Sequence, residues 1–206
     1  MISLLVNTYL HMKEITNRQL EIIEAAGKIL TASGVGGLTI KNLAKEMDFS
    51  ESAIYRHFSS KQDIIIAMLE YLAKNMDERY GVAISEDQSV EEKFINLFTR
   101  QFSFFKSNPY FVVAVFSDGL MEESQKVNDT IHKIMSVKMK HLKPIIMQGQ
   151  EGDIFTNEIS VEELLNVVMG SFRLFMFKWR IADFKYDIEE PGHKLIQTLL
   201  KLLKKK

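Results

Sequence analysis

The chain has 206 residues, of which 46% are hydrophobic, so it is long enough to bury a core without covalent staples. It has no cysteine, which excludes disulfides, thiolate metal sites and thiol nucleophiles and favours a reducing, cytoplasmic setting. Its net charge of -1 at pH 7 gives no overall attraction to polyanions, so any polyanionic partner has to be recognised through the placement of individual residues.

Three prolines and ten glycines are few for this length, and the remaining composition favours helices, so we predict an all-α fold. The longest apolar runs, at 64–69 and 111–116, are far shorter than the roughly 20 residues of a membrane-spanning helix. Residues 1–12 lack the basic leading region and small-residue cleavage site of a signal peptide, and we interpret them as an N-terminal arm.

The first predicted helix runs from Asn17 to Ser33. Thr16 and Gln19 form a capping-box pattern at its start, and apolar residues follow at helical spacing. Gly34 suits a left-handed C-cap. The nearby glycines do not indicate a phosphate-binding loop, because no strand precedes them and the motif spacing is absent.

Two short helices follow, and each has a hydroxyl residue at its N-cap. The first begins after Thr39 and ends near Met47, and the second begins after Ser50 and extends from Glu51 to His57. Two short helices joined by a turn of a few residues are typical of a helix-turn-helix. We therefore predict a helix-turn-helix domain at 13–62 and a second helical domain at 63–206.

A long helix from Lys61 to about Tyr80, behind the N-cap Ser60, leads from the first domain into the second, and a polar connection follows at 81–88. Pro144 predicts a kink or break in a later helix. Helices with caps or apolar periodicity complete a total of about nine, at 90–107, 109–120 after the N-cap Asn108, 122–148, 161–182 and 188–205.

The stretch from Thr39 to Lys61 resembles the signature of the TetR family of transcriptional regulators. A threonine opens one helix, a serine opens the next, Tyr-x-His-Phe ends it at 55–58 and a lysine begins the long helix. Asp48 and Ser52 depart from the glycines usual in the family, but aspartate tolerates a left-handed turn better than most residues. The resemblance implies an N-terminal DNA-binding domain and a C-terminal domain that binds an effector and forms a homodimer.

By this resemblance, the recognition helix lies in the major groove of double-stranded DNA. An exposed arginine on it can pair with guanine and a glutamate can accept from cytosine, while the other side chains contact phosphates. Thr39 and Ser50 are also ordinary N-caps, so the joint order of these residues favours DNA binding rather than any one alone. The candidates are Arg18, Thr39, Ser50, Glu51, Ser52, Tyr55, Arg56, His57 and Lys61.

The C-terminal half is rich in phenylalanine and methionine, most of which a helical core would use. The resemblance implies that some of them line a cavity for a small hydrophobic or amphipathic effector, a role that suits aromatic rings and adaptable methionines. The candidates are Phe102, Phe105, Phe116, Met139, Phe172 and Phe175. Polar residues inside these apolar stretches, such as His132 and Arg173, are interpreted as surface or interface residues.

The last two predicted helices carry apolar stripes that are too wide for a small half-domain to hide. A four-helix interface between two copies, as the family forms, would bury them. The candidate interface residues are Leu164, Val168, Trp179, Leu195 and Leu199. Two-fold symmetry then predicts a near-palindromic operator with half-sites roughly 34–36 Å, or a multiple of that distance, apart.

No nucleophile elbow, metalloprotease motif or phosphate loop is present, so we predict neither an enzyme nor a bound metal or cofactor. The leading hypothesis is a repressor that a small effector releases from its operator. The alternative is a helical ligand-binding or scaffolding protein with little DNA affinity. That alternative stays open because the chain up to Gln62 carries seven basic and six acidic side chains and is nearly neutral.

Overall fold

The structure, a computed structural model, describes residues 15–116 and 124–205. The predicted N-terminal arm, the end of the helix predicted to reach Leu120 and the start of the next at Glu122 lie outside these residues. Within them the chain is all-α, as predicted, and its nine helices include none long and apolar enough to cross a membrane.

Four helices form the N-terminal part of the described chain. The first three make up the helix-turn-helix unit, and the fourth connects this unit to the rest of the protein. They are α1 (Asn17–Gly37), α2 (Ile40–Glu46), α3 (Glu51–Tyr55) and α4 (Lys61–Ala83).

Five further helices follow, of which α5, α6 and α7 pack against α4, while α8 and α9 pack against these and against each other. The most extensive helix pair in the molecule joins α4 to α7, and α5 packs against α4, α7 and α9. These helices are α5 (Val90–Ser107), α6 (Tyr110–Val115), α7 (Gln125–Glu151), α8 (Val161–Ile181) and α9 (Glu189–Leu203).

Local sequence chemistry accounts for the helix starts. Each hydroxyl N-cap accepts a hydrogen bond from a backbone amide of the first turn, which satisfies a donor that would otherwise lack a partner. Thr16, Ser89 and Ser160 also form complete capping boxes with Gln19, Glu92 and Glu163. The predicted N-caps Thr16, Thr39, Ser50 and Ser60 are all confirmed, and Ser89 and Ser160 cap α5 and α8 in the same way.

The two turns of the helix-turn-helix unit contain left-handed residues. Gly34 has φ 65° and interrupts α1 near its end, as its predicted role as a left-handed cap requires. Asp48 has φ 54° between α2 and α3, so the turn keeps the backbone conformation that glycine would adopt without strain.

Two predictions about helix boundaries are wrong. Asn108 does not cap α6; it ends α5, and its side-chain amide donates to the carbonyl of Phe104 at 3.0 Å. Pro144 does not break α7, which continues from Gln125 to Glu151. A helix that is packed along much of its length tolerates the loss of one internal hydrogen bond, because tertiary contacts outweigh local propensity.

The loop after α7 is tied to the end of α9. Phe155 is fully buried and forms an isolated bridge with Lys204, and the amide of Thr156 donates to the carbonyl of Leu203 at 2.8 Å. The sequence predicts only a loop here, and the contact holds the last helix against the bundle.

Candidate DNA-binding surface and ligand cavity

The helix-turn-helix unit is held together by a small apolar core. Leu43 of α2 and Ile54 of α3 are completely buried, and Phe58 is nearly so, against buried residues of α1. The side-chain amide of Gln19 on α1 also donates to the carbonyl of His57 at 3.4 Å. These contacts fix α3 on α1 and leave its opposite face to solvent.

All six residues predicted for the recognition helix are exposed: Glu51, Ser52 and Tyr55 lie on α3, and Ser50, Arg56 and His57 lie at its two ends. Tyr55 is 51% exposed, which a core aromatic would not be. The Ser50 Oγ accepts from the amide of Ala53 at 3.2 Å and lies 2.9 Å from the Ser52 Oγ. The helix and its two ends therefore present hydroxyl, carboxylate, phenol, guanidinium and imidazole groups to solvent.

Thr39 and Lys61 begin the helices on either side of this face. Thr39 is exposed, and its hydroxyl accepts from the amide of Asn42 at 3.1 Å. Lys61 is half-buried in the first turn of α4, behind the Ser60 cap. We call Thr39 and Lys61, together with the six exposed residues of α3 and its ends, the recognition face.

Arg18 is placed differently from the other candidates. Its guanidinium pairs with Glu21 and lies 5.1 Å from the centre of the Phe49 ring, next to the turn between α2 and α3. Only one nitrogen of the guanidinium is engaged by Glu21, so further N–H donors could reach a phosphate, although the neighbouring carboxylate opposes an anion there. The i,i+3 spacing of the two residues is the sequence signal for this pair.

A cavity of about 580 Å³ lies among α4, α6, α7 and α8, with one wall from α5. Its size falls within the range of small-molecule sites, and most of its lining is apolar. The lining residues are Met76, Phe105, Val115, Phe116, Gln125, Asn128, Ile131, His132, Ile134, Met135, Lys138, Asn166, Met169, Gly170, Phe172 and Arg173.

The predicted effector residues divide into two sets of three. Phe105, Phe116 and Phe172 lie in the cavity wall. Phe102, Phe175 and Met139 do not line the cavity; the ring of Phe102 packs 5.7 Å from that of Phe172 and 5.6 Å from that of Phe175. The sequence does not separate the two sets, because aromatic residues on one helix face give the same pattern whether they line a cavity or fill a core.

Sequence reasoning missed most of the wall residues, including His132 and Arg173, which it assigned to the surface or an interface, and the buried Lys138. Lys138 is only 6% exposed, and its Nζ lies 3.4 Å from the centre of the Phe172 ring. Burial first, and the positive charge of Arg79 second, hold the pKa of the Lys138 amine well below its usual value. Its position four residues after Ile134 and four before Leu142, both buried, is the available signal, because that spacing places it on the inner face of α7.

Polar contacts join α7 to α4. The Asp77 carboxylate accepts from the Lys140 Nζ at 2.9 Å and lies 2.6 Å from the His141 Nε2. Burial alone would raise the pKa of Asp77, but these hydrogen bonds outweigh it and hold the pKa below its ordinary value.

A buried polar contact joins α4 to α5. The Tyr80 hydroxyl donates to the buried side chain of Gln101 at 2.8 Å, and burial raises the pKa of this phenol.

The predicted interface residues are mostly internal. Leu164, Val168, Trp179 and Leu199 are each at most 3% exposed, and Leu195 is half-buried against the core. Other side chains of α8 form an exposed apolar stripe at 46–68% exposure, which we call the α8 stripe: Val167, Leu174, Phe177 and Ile181.

A helix-turn-helix with an exposed recognition helix, joined to a helical domain with a ligand-sized cavity, defines a DNA-binding transcriptional regulator. Residues 22–68 match the model of "Bacterial regulatory proteins, tetR family", and residues 69–203 match that of "YsiA-like protein, C-terminal region". The chain belongs to the TetR family.

Curated relatives include the nucleoid occlusion factor SlmA of Vibrio vulnificus (strain YJ016), which is 28% identical over 180 residues, or 85% of this chain and 90% of that protein. SlmA of Vibrio cholerae is 27% identical over 175 residues, covering 82% of this chain and 87% of the relative.

Solved structures share the fold. The fatty acid degradation regulator FadR of Bacillus halodurans has a TM-score of 0.81 at 21% identity, covering 91% of this chain and 97% of its own. FadR of Bacillus subtilis in complex with stearoyl-CoA has a TM-score of 0.75 at 20% identity, covering 89% and 98%. The ketosteroid regulator KstR2 of Mycobacterium tuberculosis has a TM-score of 0.73 at 18% identity, covering 94% and 98%.

Proposed function

We propose that the chain is a homodimeric repressor, and not an enzyme, that leaves a near-palindromic operator when a small hydrophobic or amphipathic effector occupies the cavity. The observation that carries this proposal is the position of Met76. It lines the cavity and belongs to α4, the helix that begins at Lys61 beside the recognition face.

The route from cavity to DNA follows from this geometry. Fifteen residues of helix separate Lys61 from Met76, or about 22 Å at 1.5 Å per residue, so a tilt at one end displaces the other. A second route runs through α6, which supplies Val115 to the cavity wall and packs against α1. Ligand binding thus favours one arrangement of α4 and α6 over another and changes the separation of two recognition faces.

The α8 stripe supports the homodimer. Its residues recur at helical spacing on one face of α8, and an exposed apolar row of this length is typical of a surface that a partner covers. A symmetric pairing of α8 and its neighbour α9 with a second copy gives the four-helix interface expected from the family.

The solved structures support an apolar effector. The FadR of B. subtilis was solved with stearoyl-CoA, and KstR2 of M. tuberculosis is a ketosteroid transcriptional regulator. Both suit a cavity with the mostly apolar lining seen here. We therefore place the effector among large apolar or acyl compounds.

A second candidate function comes from the SlmA relatives, whose identity to this chain exceeds that of the FadR structures. A nucleoid occlusion factor and a repressor share the DNA-binding surface, so DNA binding alone does not separate them. Control of DNA binding by a cavity ligand favours the repressor. A folded dimer that binds ligand but enriches no DNA would instead favour the ligand-binding or scaffolding alternative.

The experiment is selection of bound sequences from a random pool of double-stranded DNA by the purified full chain, followed by a salt titration of the enriched sequences. We expect a near-palindrome with a steep salt dependence. Apolar acids, sterols and acyl thioesters are then added to the complex, and at least one class should release the DNA. Enrichment of a palindrome that none of these compounds releases would contradict effector control.

A further inference from the structure

The inner and outer parts of the cavity differ in chemistry. Toward solvent its lining includes the exposed polar side chains His132, Asn166 and Arg173. Toward the core its lining consists of Met76, Phe105 and Phe172, each at most 2% exposed, together with Lys138. The inner end is therefore apolar except for one amine.

This amine has an incomplete set of contacts. Lys138 Nζ lies over the Phe172 ring, and no hydrogen-bond acceptor or carboxylate contacts it among the residues that the structure describes. Lysines are almost never this buried unless they are paired, because removing an amine from water without a partner is costly.

Other cations of the same helix do have partners. Lys133 and Lys140 of α7 reach Glu70 and Asp77 of α4, at 3.8 and 2.9 Å. Lys138 lies between them in sequence but points to the cavity side. Arg79, also on α4, adds positive charge near the amine. Among the described residues, the inner end is thus an apolar site with a positive potential and no acceptor for the amine.

We propose that the inner end of the cavity binds the carboxylate of an apolar carboxylic acid, with Lys138 as its ionic partner. Met76, Phe105 and Phe172 surround the first part of the apolar chain, which then extends toward Phe116 and the outer rim. This inference rests on the proposed effector control and names the class of effector as an apolar acid that enters with its acid group first.

The opposite orientation leaves the amine without a partner. A hydrocarbon tail at the inner end would exclude water from Lys138 and supply no acceptor, and a buried donor without a partner opposes binding. A carboxylate instead forms a charge-assisted hydrogen bond in a site of low polarity, where such a bond is strong. The site should therefore distinguish an acid from a neutral compound of the same chain length.

The test is calorimetric titration of the full chain, without DNA, with decanoate and two neutral analogues, decanol and decanamide. Three proteins are compared: the wild type, Lys138→Met and Arg173→Met. Methionine preserves the length of the lysine stem, so Lys138→Met should fold, and thermal unfolding checks this. Arg173→Met is the matched control, because it removes the cation of the exposed rim.

We expect the wild type to bind decanoate on the order of tenfold or more tightly than either neutral analogue, and Lys138→Met to lose that preference. Arg173→Met should retain it. Equal binding of acid and neutral compounds by the wild type, no binding of decanoate, or loss of the preference only in Arg173→Met would each overturn the proposal. Binding without release of operator DNA would contradict the proposed function and leave this site intact.

Discussion

The ring of Tyr110, at the start of α6, lies directly against the backbone of Gly27 in α1. A Cβ placed on Gly27 would be 2.5 Å from the Cγ of Tyr110 and within 2.9 Å of two further ring atoms. The other end of α6 leads to Val115 and Phe116 in the cavity wall. This close contact therefore links the wall of the cavity to the first helix of the DNA-binding unit.

Gly27→Ala should destabilise the protein, because the tyrosine ring or the helix must move to admit a methyl group. Overpacking of this kind typically costs about 1–3 kcal/mol. In a chain of this size that corresponds to a lower Tm by roughly 2–4 °C for each kcal/mol. Thermal unfolding followed by circular dichroism measures it.

Gly81→Ala is the matched control. Gly81 lies inside α4, and a Cβ placed there has no atom within 4 Å. Alanine should stabilise this helix by roughly 0.5–1 kcal/mol through its lower backbone entropy. Equal Tm values for the two alanine variants would show that Tyr110 yields without cost and would remove the rigid link between α6 and α1.

Asp48 offers a separate test of strain and charge in the turn of the helix-turn-helix. Its φ of 54° costs a residue with a side chain about 1 kcal/mol, which glycine avoids. Asp48→Gly should therefore raise the free energy of unfolding by up to about that amount. Asp48→Asn keeps a residue that tolerates the left-handed region and removes only the charge.

Both variants of Asp48 should bind DNA more tightly than the wild type, since the carboxylate lies in the turn that precedes the recognition helix. The gain should shrink as salt is raised, because screening weakens interactions between exposed charges and phosphates. A stability gain in Asp48→Asn equal to that in Asp48→Gly would locate the penalty in the charge rather than in the backbone.

The helix-turn-helix was predictable from the sequence because its signals are local. N-caps such as Thr39 and Ser50 bond to backbone amides within one helical turn. The left-handed turn at Asp48 likewise involves the backbone angles of that one residue. These features do not depend on distant contacts. The residues of the recognition face were predictable from the same local signals, and all of them are exposed except Lys61, which is half-buried. Their contacts with DNA remain predictions.

The C-terminal half was predictable only as a set of helices. Helix α8 has two apolar faces, and periodicity alone does not tell which one enters the core. Leu164, Val168 and Trp179 are buried within the protomer, whereas Phe177 and Ile181 on the other face are exposed. Lys138 was missed for a related reason. A charged residue is normally assigned to the surface, and only the apolar residues four positions before and after it indicate that it lies on the inner face of the helix.

Two substitutions on the recognition face should have different effects. Arg56→Ala should relax the sequence preference at one base pair, at a cost of about 1–3 kcal/mol for the preferred operator. Lys61→Ala should weaken binding to all DNA alike and lower the slope of log K against log salt by about one. Binding to the enriched operator and to a scrambled duplex, each at several salt concentrations, separates the two. Uniform weakening by Arg56→Ala would assign Arg56 to the phosphates instead.

The α8 stripe should carry the dimer. Ile181→Glu places a charge on a residue that is 68% exposed in the protomer, and a symmetric interface there would bury two such charges without partners. We expect a monomer by analytical ultracentrifugation and loss of operator preference, because a single recognition helix reads only half a site. Val82→Glu, at an 85% exposed apolar residue of α4, is the control and should remain dimeric. A dimeric Ile181→Glu would place the interface elsewhere.

The last prediction concerns Lys138 and the pH dependence of stability. Its pKa is lowered in the folded chain, whereas an unfolded lysine has a pKa of about 10.4. Between the folded pKa and about 10.4 the unfolded chain binds more protons, so the free energy of unfolding rises with pH in this window. Replacing Lys138 by methionine removes the penalty, so the variant should be more stable than the wild type at neutral pH.

The advantage of Lys138→Met should decrease as the pH approaches 10, because the wild type then no longer loses a proton on folding. Urea unfolding at pH 7, 8, 9 and 10 measures this difference. Lys201→Met, at an exposed position of α9, is the control and should show a small difference that does not change with pH. A constant advantage of Lys138→Met across this range would mean that packing, and not the buried amine, accounts for it.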